Sequence, residues 1–149
     1  MIKGALKMSN EQQNLKDIIQ SVTIDAPIQK VWDYVSTADG LAQWFMPSDF
    51  KLQVGHEFTL QSPFGPSPCK VLEVEEPTKI LIQWDTDGWE LTFLLKDMGS
   101  ETEFTVIHGG WKEGDAIVPK AQRTQSAIRD TMNLGWAGIV QKLKQLVEA

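Results

Sequence analysis

Apolar residues change their spacing twice along the chain. From Ile18 they alternate, with Ile18, Val22 and Ile24 on one side and Ser21 and Thr23 on the other, which predicts a strand. Between Asp25 and Pro47 the spacing becomes helical. Ile28, Val31, Trp32 and Val35 recur at i, i+3, i+4 and i+7, behind a start signal in which Asp25 or Ala26 takes the cap and Pro27 the first turn. Thr37 can cap a further short helix through Leu41 and Trp44, which stops before Pro47. Beyond Pro47 the period falls to about 2 and stays there through His108. Strands are predicted at 50–52, 57–61, 69–75, 79–85, 89–96 and 102–108. They are separated by Gly55, a Pro-rich loop at 62–68, Glu76-Pro77, Asp87-Gly88 and Met98-Gly99-Ser100, joints short enough to favour antiparallel hairpins. Trp89, Leu91, Phe93 and Leu95 share one strand face, and Phe104, Val106 and His108 share one face of the next.

The last change, back to a helical period, covers 119–149 and is the longest uninterrupted pattern. At about 100° per residue from Ile128, one side carries Ala121, Gln125, Met132, Gly135, Trp136, Ile139, Leu143, Leu146 and Val147. Arg123, Asp130, Gln141, Lys144 and Glu148 lie opposite, and Leu134 also falls on the wet side. Pro119 suits the first turn. An apolar helix face and an apolar sheet face can cover each other, so the pattern predicts an α+β fold with the sheet against this C-terminal helix.

Composition narrows the function classes. A length of 149 residues with 42% apolar and 23% charged residues suits one domain, expected over 15–149, behind a polar, disordered tail at 1–14 in which Met8 offers an alternative start. No apolar run approaches the ~20 residues of a membrane helix, and the N-terminus lacks the apolar core of a secretion signal, so the expected location is cytoplasmic. A net charge of −6 with scattered Lys and Arg disfavours nucleic acid and anionic membranes as partners. The single cysteine, Cys69, cannot form an internal disulfide and reads as a packing residue.

No nucleophile elbow, phosphate loop or dinucleotide fingerprint is present. His56 and His108 stand far apart without a carboxylate at helical spacing, so no metal site or other cofactor is expected. Asp85-x-Asp87-Gly88 lacks the further ligands of a calcium loop and reads as a hairpin turn.

The residues also carry a resemblance. Ala26-Pro27-x-x-x-Val31-Trp32, Leu41-x-x-Trp44-Phe45, Val54-Gly55-x-x-Phe58, Val71-x-Glu73-Val74-x-x-Pro77, Trp84, Thr102-x-Phe104 and His108-x-Gly110-Trp111 occur in an order that resembles the START-like (SRPBCC, birch-pollen-allergen-like) superfamily. Within it, the chain is similar to the homologues of the activator of the ninety-kilodalton heat-shock-protein ATPase. The resemblance covers 18–147; where that family commonly has Gly-Gly, this chain has Gly55-His56. It implies a helix-grip fold: a curved antiparallel sheet wrapped around a long C-terminal helix, with two short helices after the first strand.

It also implies an apolar cavity. The walls would be Phe58, Leu60, Trp84, Leu91, Phe93, Phe104 and Val106 from the strands, Ile128, Met132 and Trp136 from the helix, and Trp44, Phe45, Phe64 and Trp111 at the entrance. Such residues either fill a core or line a pocket, and Gly135 on the buried helix face favours a pocket. His108 and Gln125 are the candidate polar groups inside. His108 would orient a ligand, act as an acid–base group, or serve as a structural residue.

Three functions fit. The first is non-enzymatic binding of a small, largely apolar molecule, aromatic or lipid-like, with no catalytic residue. The second is co-chaperone-like stimulation of a heat-shock ATPase in a stress response, as the resemblance implies, although a single domain is expected here, without the additional N-terminal domain of the eukaryotic activators. The third is a cyclase, dehydratase or hydrolase that uses His108. Oligomeric state is left open.

Overall fold

A computed structural model describes residues 14–62, 65–85, 88–118 and 122–149. The tail expected at 1–14 lies outside the described residues except for Asn14, as do Phe64, Asp87, Pro119 and Ala121. Strand β1 (Ile18–Ile24) leads to helices α1 (Ile28–Val35) and α2 (Ala38–Trp44). Five long strands follow: β2 (Glu57–Ser62), β3 (Gly65–Glu75), β4 (Lys79–Trp84), β5 (Trp89–Asp97) and β6 (Thr102–Gly109). A small ribbon of β7 (Ile117–Val118) and β8 (Arg123–Thr124) precedes helix α3 (Gln125–Glu148). The six long strands form one antiparallel sheet in the order β1-β6-β5-β4-β3-β2. With α3 across its apolar face, this is the α+β helix-grip architecture.

The alternating pattern sets the register. Ile18 pairs with His108, His108 with Leu91, Leu91 with Ile82 and Ile82 with Val71, so one buried row crosses five strands. A slip by one residue in any strand would turn its whole apolar set to solvent. Helix α1 starts one residue later than the cap signal suggested, with Pro27 itself in the cap position. Val31, Trp32 and Val35 are buried, and the Trp32 indole N–H donates to Glu76 at 3.0 Å. Thr37 caps α2 by accepting from the Gly40 amide.

Four expectations are corrected. Residues 50–52 form no strand; Phe50 leaves the ladder and sets its ring edge-on against Phe58, while Ser48 makes an isolated bridge to Leu60. The Pro-rich stretch is not all loop, because β3 begins at Gly65 and takes in Pro66 and Pro68. Both prolines present their missing N–H to the β4 side, at the end of β4, where the Pro68 carbonyl still takes the Asp85 amide, so the ladder with β2 loses no donor.

Helix α3 starts at Gln125, not Pro119, because the Thr124 hydroxyl accepts from the Ala127 amide and the residues before it pair as β7–β8. Finally, Gly135 is exposed, and a Cβ added there would meet nothing within 4 Å. The buried stripe of α3 is Gln125, Ile128, Trp136, Val140, Leu143 and Val147, centred about 70° round from Ile128 at 100° per residue. Ile128 sits at the margin of that stripe, and Gly135 falls just past it. Leu134 is exposed as expected.

Polar side chains on the flank of α3 tie it along β1. The Arg129 guanidinium donates to the Lys16 and Asp17 carbonyls at 2.7 and 3.2 Å, and the Gln20 amide donates to Asn133 at 2.8 Å. Lys144 donates to the Thr23 carbonyl and pairs with Glu148, which accepts the Asp25 amide. At the other edge the Gln61 amide donates to Pro47 and the Thr59 amide to Asp49. Among the described residues no helix is long and apolar enough to cross a membrane.

Two stability changes follow. Trp32→Ala should lose about 3–5 kcal/mol in chemical denaturation, because it empties a large buried site; a loss under about 1 kcal/mol would show that α1 does not cover the core. Gly135→Ala should raise stability by up to about 1 kcal/mol, as expected for a solvent-facing helical glycine.

Candidate functional site

The alternation Phe104-Val106-His108 carries the imidazole of His108 to the inner face of β6, where it is 0% exposed. Four tryptophans surround it. Trp84 ends β4 and Trp89 opens β5, paired with each other across the hairpin; their ring centres lie 5.1 and 4.9 Å from that of His108. Trp136 descends from α3, and its indole N–H donates to His108 Nδ1 at 3.1 Å. Trp111 arrives from the loop after β6, its ring centre 4.7 Å from His108 and 4.9 Å from Trp89, and donates to the His108 carbonyl at 2.9 Å.

The loop can return so closely because Gly110 takes φ +84° against the backbone of Gly88 and Trp89, where a Cβ would collide with the Gly88 carbonyl. It is then tied to the start of α3. The Gln125 and Ser126 amides donate to the Ala116 and Gly114 carbonyls, and the Gln125 side-chain oxygen accepts the Lys112 amide at 3.1 Å.

These contacts fix the protonation of the imidazole. An indole can only donate, so Nδ1 must accept and the proton of neutral His108 resides on Nε2. Burial, aided by the nearby Arg129 charge, pushes the His108 pKa down to about 3. The ring is thus a neutral hydrogen-bonding group at physiological pH, ill suited to the acid–base role raised from its ordinary pKa. His108 Nε2 and the indole nitrogens of Trp84 and Trp89 are buried and have no hydrogen-bond partner among the described residues. Each such donor costs about 1–3 kcal/mol when left unmade, and native interiors leave few.

A second group of rings adjoins the first. Phe45, at the end of α2, stacks on Trp136 with ring centres 5.2 Å apart and meets Trp44, Trp84 and Phe93 at 5.7–6.1 Å. Trp44 continues to Phe93 and Phe104.

The structure thus brings together Trp44, Phe45, Trp84, Phe93, Phe104, His108, Trp111 and Trp136 from the expected set. Leu91, Val106, Ile128, Phe58 and Leu60 are buried in the same apolar core, and Met132 packs partly exposed against it. Gln125 is buried, but its oxygen serves the Lys112 amide. Gly135 does not belong to this set, because it faces solvent. Trp89 was missed as a site residue, although its place on the Leu91–Phe93 face, directly after the Asp87-Gly88 turn, was the available signal. Among the described residues no group of three His, Cys, Asp or Glu side chains could hold a metal ion.

The buried neutral imidazole predicts acid sensitivity. Its folded pKa of about 3 lies below the unfolded value near 6.5, so between these two pH values the unfolded chain binds the extra proton. The contribution is complete above about pH 6.5 and drains away as pH falls toward 3, on the order of 5 kcal/mol in full. Urea denaturation from pH 7.5 to 5 should show this loss, and His108→Gln should flatten the part above pH 5, where carboxylates contribute little. A parent profile already flat over that range would show that His108 is not buried neutral.

The family described as Activator of Hsp90 ATPase homolog 1-like protein matches residues 25–148. Among solved structures, protein BH1534 of Bacillus halodurans is 50% identical over 91% of this chain and 99% of its own, with a TM-score of 0.85. Protein MLL2253 of Mesorhizobium loti (23% identity, 89% and 96% covered, TM-score 0.75) and the Aha1 dimer of Colwellia psychrerythraea (21%, 90% and 97%, 0.72) share the fold. No protein of curated function matches the chain. A match over most of the length, on the fold and the buried residues described above, makes this chain a member of the Activator of Hsp90 ATPase homolog 1-like family.

Proposed function

We propose that the protein is a non-enzymatic, cytosolic binder of a small, largely apolar molecule, aromatic or lipid-like, taken up between the sheet and α3. The observation that carries this reading is the position of Phe45. It is the one ring of its cluster that is partly exposed among the described residues, yet it touches four buried rings from α2, β4, β5 and α3. Met132 and Ile139, one turn to either side of Trp136, are also partly buried and extend an apolar rim around it. Phe45 stands at the C-cap of α2 with one backbone bond, to Leu41, holding it to the helix. A swing of that ring would open the interior to a ligand without disturbing either helix, and apolar walls with a few placed donors suit small-molecule recognition.

The family description also suggests a heat-shock chaperone as partner, which a pull-down from the organism's own chaperone would test. An enzymatic use of the interior would need an acid–base group other than the neutral His108.

Tryptophan fluorescence and amide NMR shifts, followed during titration with 2-ethylnaphthalene and 2-acetonaphthone, test the binding reading. Saturable binding of at least one probe is expected, with shifts at Phe45 and Trp136. Phe45→Ala should bind about tenfold more tightly, because the probe fills the space that the ring leaves. Failure of both probes to saturate would overturn the proposal, and binding unaffected by Phe45→Ala would overturn the assigned route.

A further inference from the structure

We infer that the ligand of this site carries an uncharged carbonyl-type oxygen, received by N–H groups from the set Trp84, Trp89 and His108. The inference rests on the binding reading above and adds the chemistry of the ligand's polar end. Around His108 the rings offer five N–H donors: the four indoles and Nε2–H. Within the cage two of them find acceptors. The Trp136 indole uses Nδ1 and the Trp111 indole uses the His108 carbonyl. The other three are buried without a partner among the described residues, and all three belong to rings in mutual contact, with centres 4.9–5.5 Å apart. Among the described residues the cluster is therefore short of acceptors and has no need of donors.

That imbalance selects the class of group. A hydroxyl oxygen could also accept two N–H groups but would bring a proton that needs an acceptor of its own, whereas a ketone, ester or amide oxygen accepts two and brings no proton. A carboxylate would add a buried charge. The cation whose field reaches His108 is Arg129, and its guanidinium is directed onto the Lys16 and Asp17 carbonyls. An uncharged oxygen on an otherwise apolar, ring-shaped body thus matches both the donors and the aromatic walls.

The competing account is that the three N–H groups rest against neighbouring ring faces, since Trp84 crosses Trp89 at 67° and Trp89 crosses His108 at 80°. Such contacts are weaker than bonds to oxygen and recur as packing alone.

Matched probes separate these accounts. 2-Acetonaphthone and 2-ethylnaphthalene differ by a carbonyl in place of a methylene, and 2-naphthoate supplies the charged analogue. The expected result is at least tenfold tighter binding of the ketone than of the hydrocarbon. The indole N–H resonances of Trp84 and Trp89 in the unmodified protein should move downfield with the ketone and not with the hydrocarbon. Trp84→Phe and Trp89→Phe keep a ring and remove the donor; each should cut the ketone preference at least threefold while hydrocarbon affinity stays within twofold.

Equal binding of ketone and hydrocarbon, with no selective indole shift, would overturn the carbonyl assignment and leave the binding site standing. Tighter binding of 2-naphthoate than of the ketone would overturn the uncharged class. Failure of every probe would overturn both this inference and the binding reading.

Discussion

The hydrogen bond from the Trp136 indole to His108 Nδ1 is the constraint on which the interior depends. It joins the middle of the C-terminal helix to the inner face of β6, and both of its rings are buried. Because the indole can only donate, the bond exists only while the imidazole is neutral, and it sets which nitrogen keeps the proton. Burial enforces the same neutrality. Helix position, tautomer and charge state are thus settled together, and the loop carrying Trp111 closes over the pair through the carbonyl of the same residue.

Around this bond the packing is unusually aromatic and unevenly satisfied. Large rings bury much area at low entropic cost and hold one another edge-on or tilted at centre distances near 5 Å. A core selected for stability alone would place phenylalanine where an indole N–H has no acceptor, since replacing an unsatisfied polar group by an apolar one of similar shape is nearly neutral or favourable. Local rules broken within an otherwise consistent fold tend to fall at functional positions. Here the breach gathers on one wall, where the end of β4, the start of β5 and the end of β6 meet.

Much of this was legible in the residues. Alternation placed Leu91, Phe93, Phe104, Val106 and His108 inside, and the helical set ending in Val35 buried Trp32, because period and burial are directly linked. The start of α3 was obscured because the residues before Thr124 continue a helix-compatible pattern, and only the hydroxyl cap marks the break. Gly135 was misplaced because a helical wheel has no absolute zero: starting from Ile128, at the margin of the stripe, rotated the whole face and left out Val140. Pro66 and Pro68 read as loop because a sequence does not say where the neighbouring strand stops. The charged flank of α3 looked like plain solvent-facing surface, and its acceptors, the backbone carbonyls at 16, 17 and 23, have no signature in side-chain identity.

That charged flank has a consequence for how copies of the protein meet. A sheet with two open margins is a template onto which a stranger's backbone can add, and this one is antiparallel with a β-rich sequence between its ends. Arg129 and Lys144 reach the carbonyls along the β1 margin, and the segment from Pro47 to Asp49 takes amides along the β2 margin. Each margin is therefore fenced by the chain's own groups, one by long cationic side chains and the other by a crossing stretch of backbone. Fibre-like stacking through the β1 margin would first have to strip away bonds that also hold the C-terminal helix in place, so at that margin resistance to aggregation and the grip on that helix depend on the same few contacts.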